Sequence, residues 1–193
     1  MAAALGRRFE GKVVLVTGAG SRRHLILIGL PGAGKSTAGR LLAERLGTHC
    51  TDIDPIMVRA TGLSIADLFG EEGEAAFRAR EHQAVVQALA LPPHVVAPGG
   101  GWAAQPGNLG DTSPAGFLIH LAVAPEAAAL RLAGDDSRPL LAGASPAQQL
   151  ADLAANRLPF YRQAAAEVEV TDRSPAQVAD LLLAVARSQA GWA

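Results

Sequence analysis

The sequence predicts an α/β fold, with a parallel sheet of five strands and helices packed on both of its faces. Three observations predict it. From residue 22 onward, short apolar runs alternate with helix-like stretches, the order that produces parallel sheets. The first run, His24-Leu25-Ile26-Leu27-Ile28, passes through a glycine-rich turn into a helical stretch. The composition is globular, with 49% hydrophobic and 18% charged residues, and 193 residues suffice for one domain with a sizeable core.

Strand 24–28 is wholly apolar after its histidine and leads to helix 35–46, rich in Ala and Leu. A short strand near 48–52 precedes helices near 54–60 and 64–69. Gly73 to Ala90 reads as one long helix. Strand 94–97 ends at Gly99-Gly100-Gly101, and strand 116–122 is followed by helix 125–133. Residues 134–144, with Gly, Asp and Pro, form a loop. Helix 146–165 carries Pro159, which should bend or break it near its end. Strand 167–170, a turn at 171–174 and helix 175–189 close the domain.

The turn after the first strand carries the most chemistry. Gly29-Leu30-Pro31-Gly32-Ala33-Gly34-Lys35-Ser36-Thr37 is G-x-x-x-x-G-K-S followed by Thr, between a strand and a helix. Glycines let the backbone curl until several N–H groups face one phosphate chain. The helix adds the positive end of its dipole. Lys35 is placed to reach the β- and γ-phosphates, and the Ser36 hydroxyl to ligate Mg²⁺. Of 17 basic residues only Lys12 and Lys35 are lysine, so the lysine in the loop stands out. Its compact ammonium is not interchangeable with a guanidinium.

A phosphate loop implies a nucleoside triphosphate but not its use. Asp52 and Asp54, spaced D-x-D after the second strand, share one face if that segment is extended. Both then point into the crevice at the carboxyl ends of the strands, one toward the Mg²⁺ shell and the other toward a substrate hydroxyl. Asp54 before Pro55 also reads as a helix N-cap. The triple glycine lets a ligand approach backbone amides, or is a flexible turn. Glu74 and Arg78 are spaced for a surface ion pair. Arg138, in the 134–144 loop, fits a lid cation that neutralises a transferred phosphoryl group, a role that contributes about 10³–10⁵ in rate in other enzymes.

Together these motifs resemble the shikimate kinase family over residues 24–189. The matching set is the phosphate loop, Thr51-Asp52-Ile53-Asp54, Thr61-Gly62-Leu63-Ser64-Ile65-Ala66-Asp67-Leu68-Phe69, Gly73-Glu74 with Phe77-Arg78 and Glu81, the triple glycine, Arg138-Pro139-Leu140-Leu141, and Arg157 with Tyr161. The resemblance implies a three-layer α/β/α P-loop kinase fold with a lid loop, and transfer of the ATP γ-phosphate to the 3-hydroxyl of shikimate in aromatic amino-acid biosynthesis. Gly32, Ala33, Gly34, Lys35, Ser36 and Thr37 would hold the nucleotide phosphates, with Arg131 and Arg173 near adenine and Arg138 on the phosphates from the lid. Asp54 would bind the substrate hydroxyls and activate the nucleophile, making Lys35, Asp54 and Arg138 the catalytic set. Arg78 and Arg157 would hold the carboxylate, Glu81 would fix those arginines, Gly99, Gly100 and Gly101 would line the pocket, and Phe69 and Phe77, with Ile65, Pro139 and Leu140, would wall it. Ser36 and Asp52 would serve Mg²⁺, the family's cofactor, with Asp52 acting through water. A carboxylate acceptor suits planar bidentate guanidinium groups.

Two positions depart from the family pattern. Trp102 follows the triple glycine where a smaller residue is usual, and Pro98 precedes it where a small or hydroxylated residue is expected. Both are expected at the rim of the acceptor pocket, which leaves open another polyhydroxy acid as acceptor. A nucleotide-binding module without catalysis is a further alternative, opposed by the presence of Lys35, Asp54, Arg78, Arg138 and Arg157.

Other features narrow partners and compartment. Net charge is −1, so the surface as a whole offers no electrostatic case for nucleic acid. No apolar run approaches the roughly 20 residues of a membrane span. Cys50 is the single cysteine, which excludes an internal disulfide and fits a cytoplasmic protein, and its neighbours suggest a packing role. The five histidines lack metal-ligand spacing. The family resemblance suggests a monomer whose partners are ATP and shikimate. Residues 9–21, Phe9-Glu10-Gly11-Lys12-Val13-Val14-Leu15-Val16-Thr17-Gly18-Ala19-Gly20-Ser21, resemble the first strand and turn of a short-chain dehydrogenase, but the pattern stops there. Residues 1–21 are therefore expected to be an N-terminal extension, a fusion remnant or a mis-called start, and 22–193 the catalytic domain.

Overall fold

A computed structural model describes residues 22–112, 114–133 and 145–193. Strands β1 (His24–Ile28), β2 (Cys50–Asp52), β3 (Val95–Ala97), β4 (Gly116–Ala122) and β5 (Ala166–Glu169) form one parallel sheet in the order β2-β3-β1-β4-β5. Helices α1 (Lys35–Leu46) and α7 (Pro175–Gln189) cover one face. The other face packs against α2 (Ile53–Thr61), α3 (Ile65–Leu89), a 3-10 turn at Trp102–Ala104 and α6 (Pro146–Tyr161). Two short connectors, α4 (Asn108–Thr112) and α5 (Pro125–Leu132), complete the described elements. Three α/β/α layers are thus present, and β1, in the middle of the strand order, is buried on both faces.

Strand alternation divides the core. Leu25, Leu27, Val95, Phe117, Ile119 and Leu121 pack toward Leu42 of α1 and Leu182 of α7. Ile26, Ile28 and Val96 face Ile53, Phe77, Trp102 and Tyr161. Serine caps hold several helix starts: Ser64 accepts from the Asp67 amide, and Ser174 forms a reciprocal capping box with Gln177.

Three local readings change. Residues 65–89 run as one element interrupted at Gly73, whose φ of 78° and ψ of 166° no other residue type adopts comfortably. The expected helices near 64–69 and from Gly73 therefore join end to end across a kink. Helix α2 starts at Ile53 with Asp52 in the capping position, so Asp54 lies inside the first turn and is not the cap. Pro159 does not break α6, which continues to Tyr161 and stops there, short of residue 165. The lid loop 134–144 and residues 1–21 lie outside the described residues.

At the end of the sheet away from the phosphate loop, three histidines meet. The His94 ring stacks on His49 with centroids 4.1 Å apart and meets His24 edge-on at 4.9 Å. His94 also bonds Thr51 Oγ1 at 2.9 Å and the Pro92 carbonyl at 2.8 Å. Burial pushes the proton affinity of His24 and His94 down, and the neighbouring imidazoles act in the same direction. Above the ordinary histidine pKa of about 6.5 both the folded and unfolded chains hold these rings neutral. Below it the unfolded chain takes up protons that the folded chain resists, so stability falls as pH falls. Urea midpoints should drop between pH 7.5 and 5.5, and His94→Gln should flatten that slope; an unchanged slope in the variant would contradict the assignment.

Cys50 is half-buried beside α1, with its Sγ 2.9 Å from where a Cβ on Gly39 would sit. Burial pushes its thiol up to about 12, helped by Asp52 and opposed by Arg40. Native alkylation at pH 8 should be slower than for an unfolded thiol by about a thousandfold or more, since the thiolate is the reactive form. Labelling at the unfolded rate would refute the buried packing role.

Candidate active site

The glycine-rich loop emerges from β1 and turns into α1. Gly32 and Gly34 have φ of 78° and 85°, the left-handed region that glycine tolerates. A Cβ on Gly32 would also lie 2.7 Å from the Ala128 carbonyl oxygen, so sterics and backbone demand the same residue. Lys35 is buried, and its Nζ donates to the carbonyls of Gly29 at 2.9 Å and Leu30 at 3.0 Å. These bonds arch the loop over its own lysine and leave the ammonium facing the loop's concave side.

A cavity of about 480 Å³ opens there, at the carboxyl ends of the strands. Its walls include Gly32, Ala33, Gly34, Lys35, Ser36 and Thr37 from the loop and α1, and Asp52 and Asp54 from the β2–α2 junction. Pro98, Gly99 and Gly100 follow β3, and Arg131 and Arg173 close the far side. The two aspartates reach one cavity although they do not share an extended segment: Asp52 ends β2 and Asp54 occupies the first turn of α2. The Arg131 guanidinium is held by the carbonyls of Val170 and Thr171, both at 2.7 Å, and approaches Gly32 O at 3.4 Å. Arg173 donates through Nε to Glu169 O at 2.9 Å. Leu132, Pro175 and Val178 add an apolar wall between these arginines that sequence reasoning did not find. The signal available for it was only their nearness in sequence to Arg131 and Arg173.

The triple glycine separates this cavity from a buried polar cluster. A Cβ on Gly99 would overlap Glu81 Oε1 and lie 3.2 Å from Asp54 Oδ1; one on Gly101 would overlap the Arg78 guanidinium. A Cβ on Gly100 would sit 2.9 Å from the backbone nitrogen of Pro31 in the phosphate loop. Only glycine allows this approach of three elements. Behind it, Arg78 donates to Glu81 Oε2 at 2.7 Å and, more loosely, to Glu74 Oε1 at 3.4 Å. The pair is buried, unlike the surface ion pair that the Glu74–Arg78 spacing suggests. The Arg78 guanidinium carbon lies 5.4 Å and 5.1 Å from the ring centres of Phe69 and Phe77, which are themselves 4.1 Å apart. Arg157 Nη1 and the Tyr161 hydroxyl both donate to Gly100 O at 2.9 Å. Arg78, Glu81, Arg157, Phe69, Phe77 and Gly101 thus gather beside this cavity, around the triple glycine.

Burial pushes the Glu81 carboxyl up and Asp54 adds to the push, while the Arg78 guanidinium and the Gly99 amide oppose it. Burial likewise raises the Tyr161 phenol, against Arg157 and Arg78. Trp102 is a correction: its side chain is fully buried among Ile26, Phe77 and their neighbours and is not at the pocket rim. Its bulk fills the core on that face of the sheet. Pro98 does line the cavity. Arg138, Pro139 and Leu140 lie outside the described residues.

A parallel sheet ordered β2-β3-β1-β4-β5, with a phosphate loop after β1 and carboxylates and arginines around one cavity, defines a kinase of the P-loop class. A gluconokinase from Sinorhizobium meliloti 1021 shares this fold at a TM-score of 0.57 and 18% identity, over 88% of this chain and 94% of its own. The sequence model described as shikimate kinase matches residues 31–187. The shikimate kinase of Thermobifida fusca (strain YX) is 43% identical over 164 residues, covering 84% of this chain and 94% of the relative. A solved shikimate kinase from Acinetobacter baumannii, in complex with shikimate, superposes with a TM-score of 0.83 at 34% identity, over 87% of this chain and 94% of that one. The chain belongs to the shikimate kinase family.

Proposed function

We propose that this chain transfers the γ-phosphoryl group of ATP to the 3-hydroxyl of shikimate. The observation that carries the reading is one cavity lined by both Lys35 of the phosphate loop and Asp54, backed through three glycines by a pair of buried arginines. The loop amides of Gly32 to Thr37 bind the phosphate chain, and Lys35 neutralises its outer charges. Arg131 and Arg173, with the apolar wall between them, hold the base.

The hydroxyl-bearing Ser36 and the carboxylate of Asp52 line the same cavity, a small set of hard oxygen donors. That set fits Mg²⁺, which keeps several waters and takes its remaining ligands from phosphates. When bound, the ion offsets charge on the β- and γ-oxygens. Asp54 orients the acceptor hydroxyl and takes its proton. Arg78 and Arg157 hold the acceptor carboxylate, with Glu81 fixing Arg78. Arg138 supplies the lid cation, and closure keeps water from the phosphoryl group. Residues 22–193 form the catalytic domain and residues 1–21 an extension. The protein works as a cytoplasmic monomer in aromatic amino-acid biosynthesis.

Phosphorus and proton NMR of the product formed with MgATP tests the assignment. Phosphorus coupling to the proton on carbon 3 of shikimate is expected. Phosphorylation at another hydroxyl, or of another polyhydroxy acid in preference to shikimate, would overturn it and direct attention to Pro98 on the cavity wall.

A further inference from the structure

His120 is the only polar residue of β4, and its side chain is buried. It pairs across the sheet with Ile28, the residue before the phosphate loop, and with Glu167 of β5. Its Nδ1 meets Glu167 Oε2 at 3.0 Å. Its ring stacks on Tyr161 with centroids 4.7 Å apart and planes 22° from parallel. Tyr161 donates to the Gly100 carbonyl, which also receives Arg157. On its other side Gly100 is wedged against Pro31.

The chain of contacts therefore runs from Glu167 through His120 and Tyr161 to Gly100, beside the arginine assigned to the acceptor. We propose that His120 is a positioning residue for the acceptor: held by Glu167, its ring fixes the Tyr161 ring, whose hydroxyl keeps Gly100 and Arg157 in register. This rests on the acceptor assignment made above. A flat ring stacked on Tyr161 at this point of the strand needs a reason, and packing alone would be met by leucine. Burial and the Lys35 ammonium lower the proton affinity of His120, against Glu167 and Glu169 of β5. The neutral ring can then stack on Tyr161 without adding a second cation near Lys35.

The test is a double-mutant cycle read by calorimetric titration with shikimate. His120→Ala and Tyr161→Phe should each weaken shikimate binding about fivefold, the loss of one net hydrogen bond. The double variant should bind no more weakly than Tyr161→Phe, because His120 acts through that hydroxyl. His120→Phe, which keeps the stacking ring, should restore most of the affinity, and MgATP affinity should stay within about twofold throughout. Additive losses, an equal loss of MgATP affinity, or failure of His120→Phe to rescue would overturn the proposal. If His120→Ala does not fold, His120→Leu takes its place in the same cycle. The chain has one tyrosine, so isotope-labelled tyrosine gives a single ring signal. His120→Ala should broaden or split it and His120→Phe should leave it sharp; a sharp, unsplit signal in both would contradict the positioning role even if shikimate proved not to bind. Absence of shikimate binding by the unchanged chain would remove the acceptor assignment alone.

Discussion

Asp54→Asn should lower kcat by about 10²–10⁴, the range for loss of a positioned general base. The amide keeps the shape of the side chain but cannot take a proton from the acceptor hydroxyl. Asp54 lines the cavity from the first turn of α2, close to Gly99 and on the same wall as the phosphate loop. The substitution should leave the chain folded, and it removes a charge that opposes ionisation of the buried Glu81 carboxyl. KM for ATP should barely change. Steady-state kinetics with a thermal melt check this. Turnover near that of the unchanged chain would remove Asp54 from the catalytic set.

Arg78→Ala should both abolish shikimate binding and destabilise the fold. Glu81 has no exposed surface, and Arg78 donates to it at 2.7 Å. Removing one partner of a buried ion pair costs about 3–5 kcal/mol, since the other is left without compensation. Burial already holds the Glu81 carboxyl above its ordinary value, and losing the guanidinium raises it further. A carboxyl whose folded pKa is raised favours the folded state at low pH, and this advantage is lost as pH rises through that pKa. The destabilisation should therefore grow with pH. Adding Glu81→Gln should recover much of the stability but none of the shikimate affinity, which separates the structural role of Arg78 from its binding role. Denaturant melts at two pH values and a shikimate titration read both. Stability equal to the unchanged chain in Arg78→Ala would show that the buried pair is not coupled.

Much of this was legible because chemistry and fold shared the same residues. The phosphate loop named a strand, a turn and a helix at once, and each glycine in it answers a backbone or steric demand. The five strands and most of the helices among the described residues followed from apolar runs alternating with helical stretches. Gly73 is less legible: helical residues on either side of one glycine look alike whether the helices join or separate, and only its left-handed φ shows the kink. The aspartates converge by a route the sequence does not display, because alternation along a strand was the assumed cause and a strand-to-helix junction is the actual one. Trp102 misled because a large aromatic after three glycines looks like a pocket wall, whereas the short 3-10 turn directs it into the core. The short helix α4 is too brief to give a periodic signal. His120 was read only against metal ligation, since nothing in sequence ties it to Tyr161 or Glu167, which reach it from α6 and β5.

ATP and shikimate are expected to meet in one site. Coupled ADP release by the purified chain with MgATP, with and without shikimate, tests it most directly. Strong stimulation by shikimate is the expected result. Tight ATP binding with the same slow ADP release whether or not shikimate is present would contradict it.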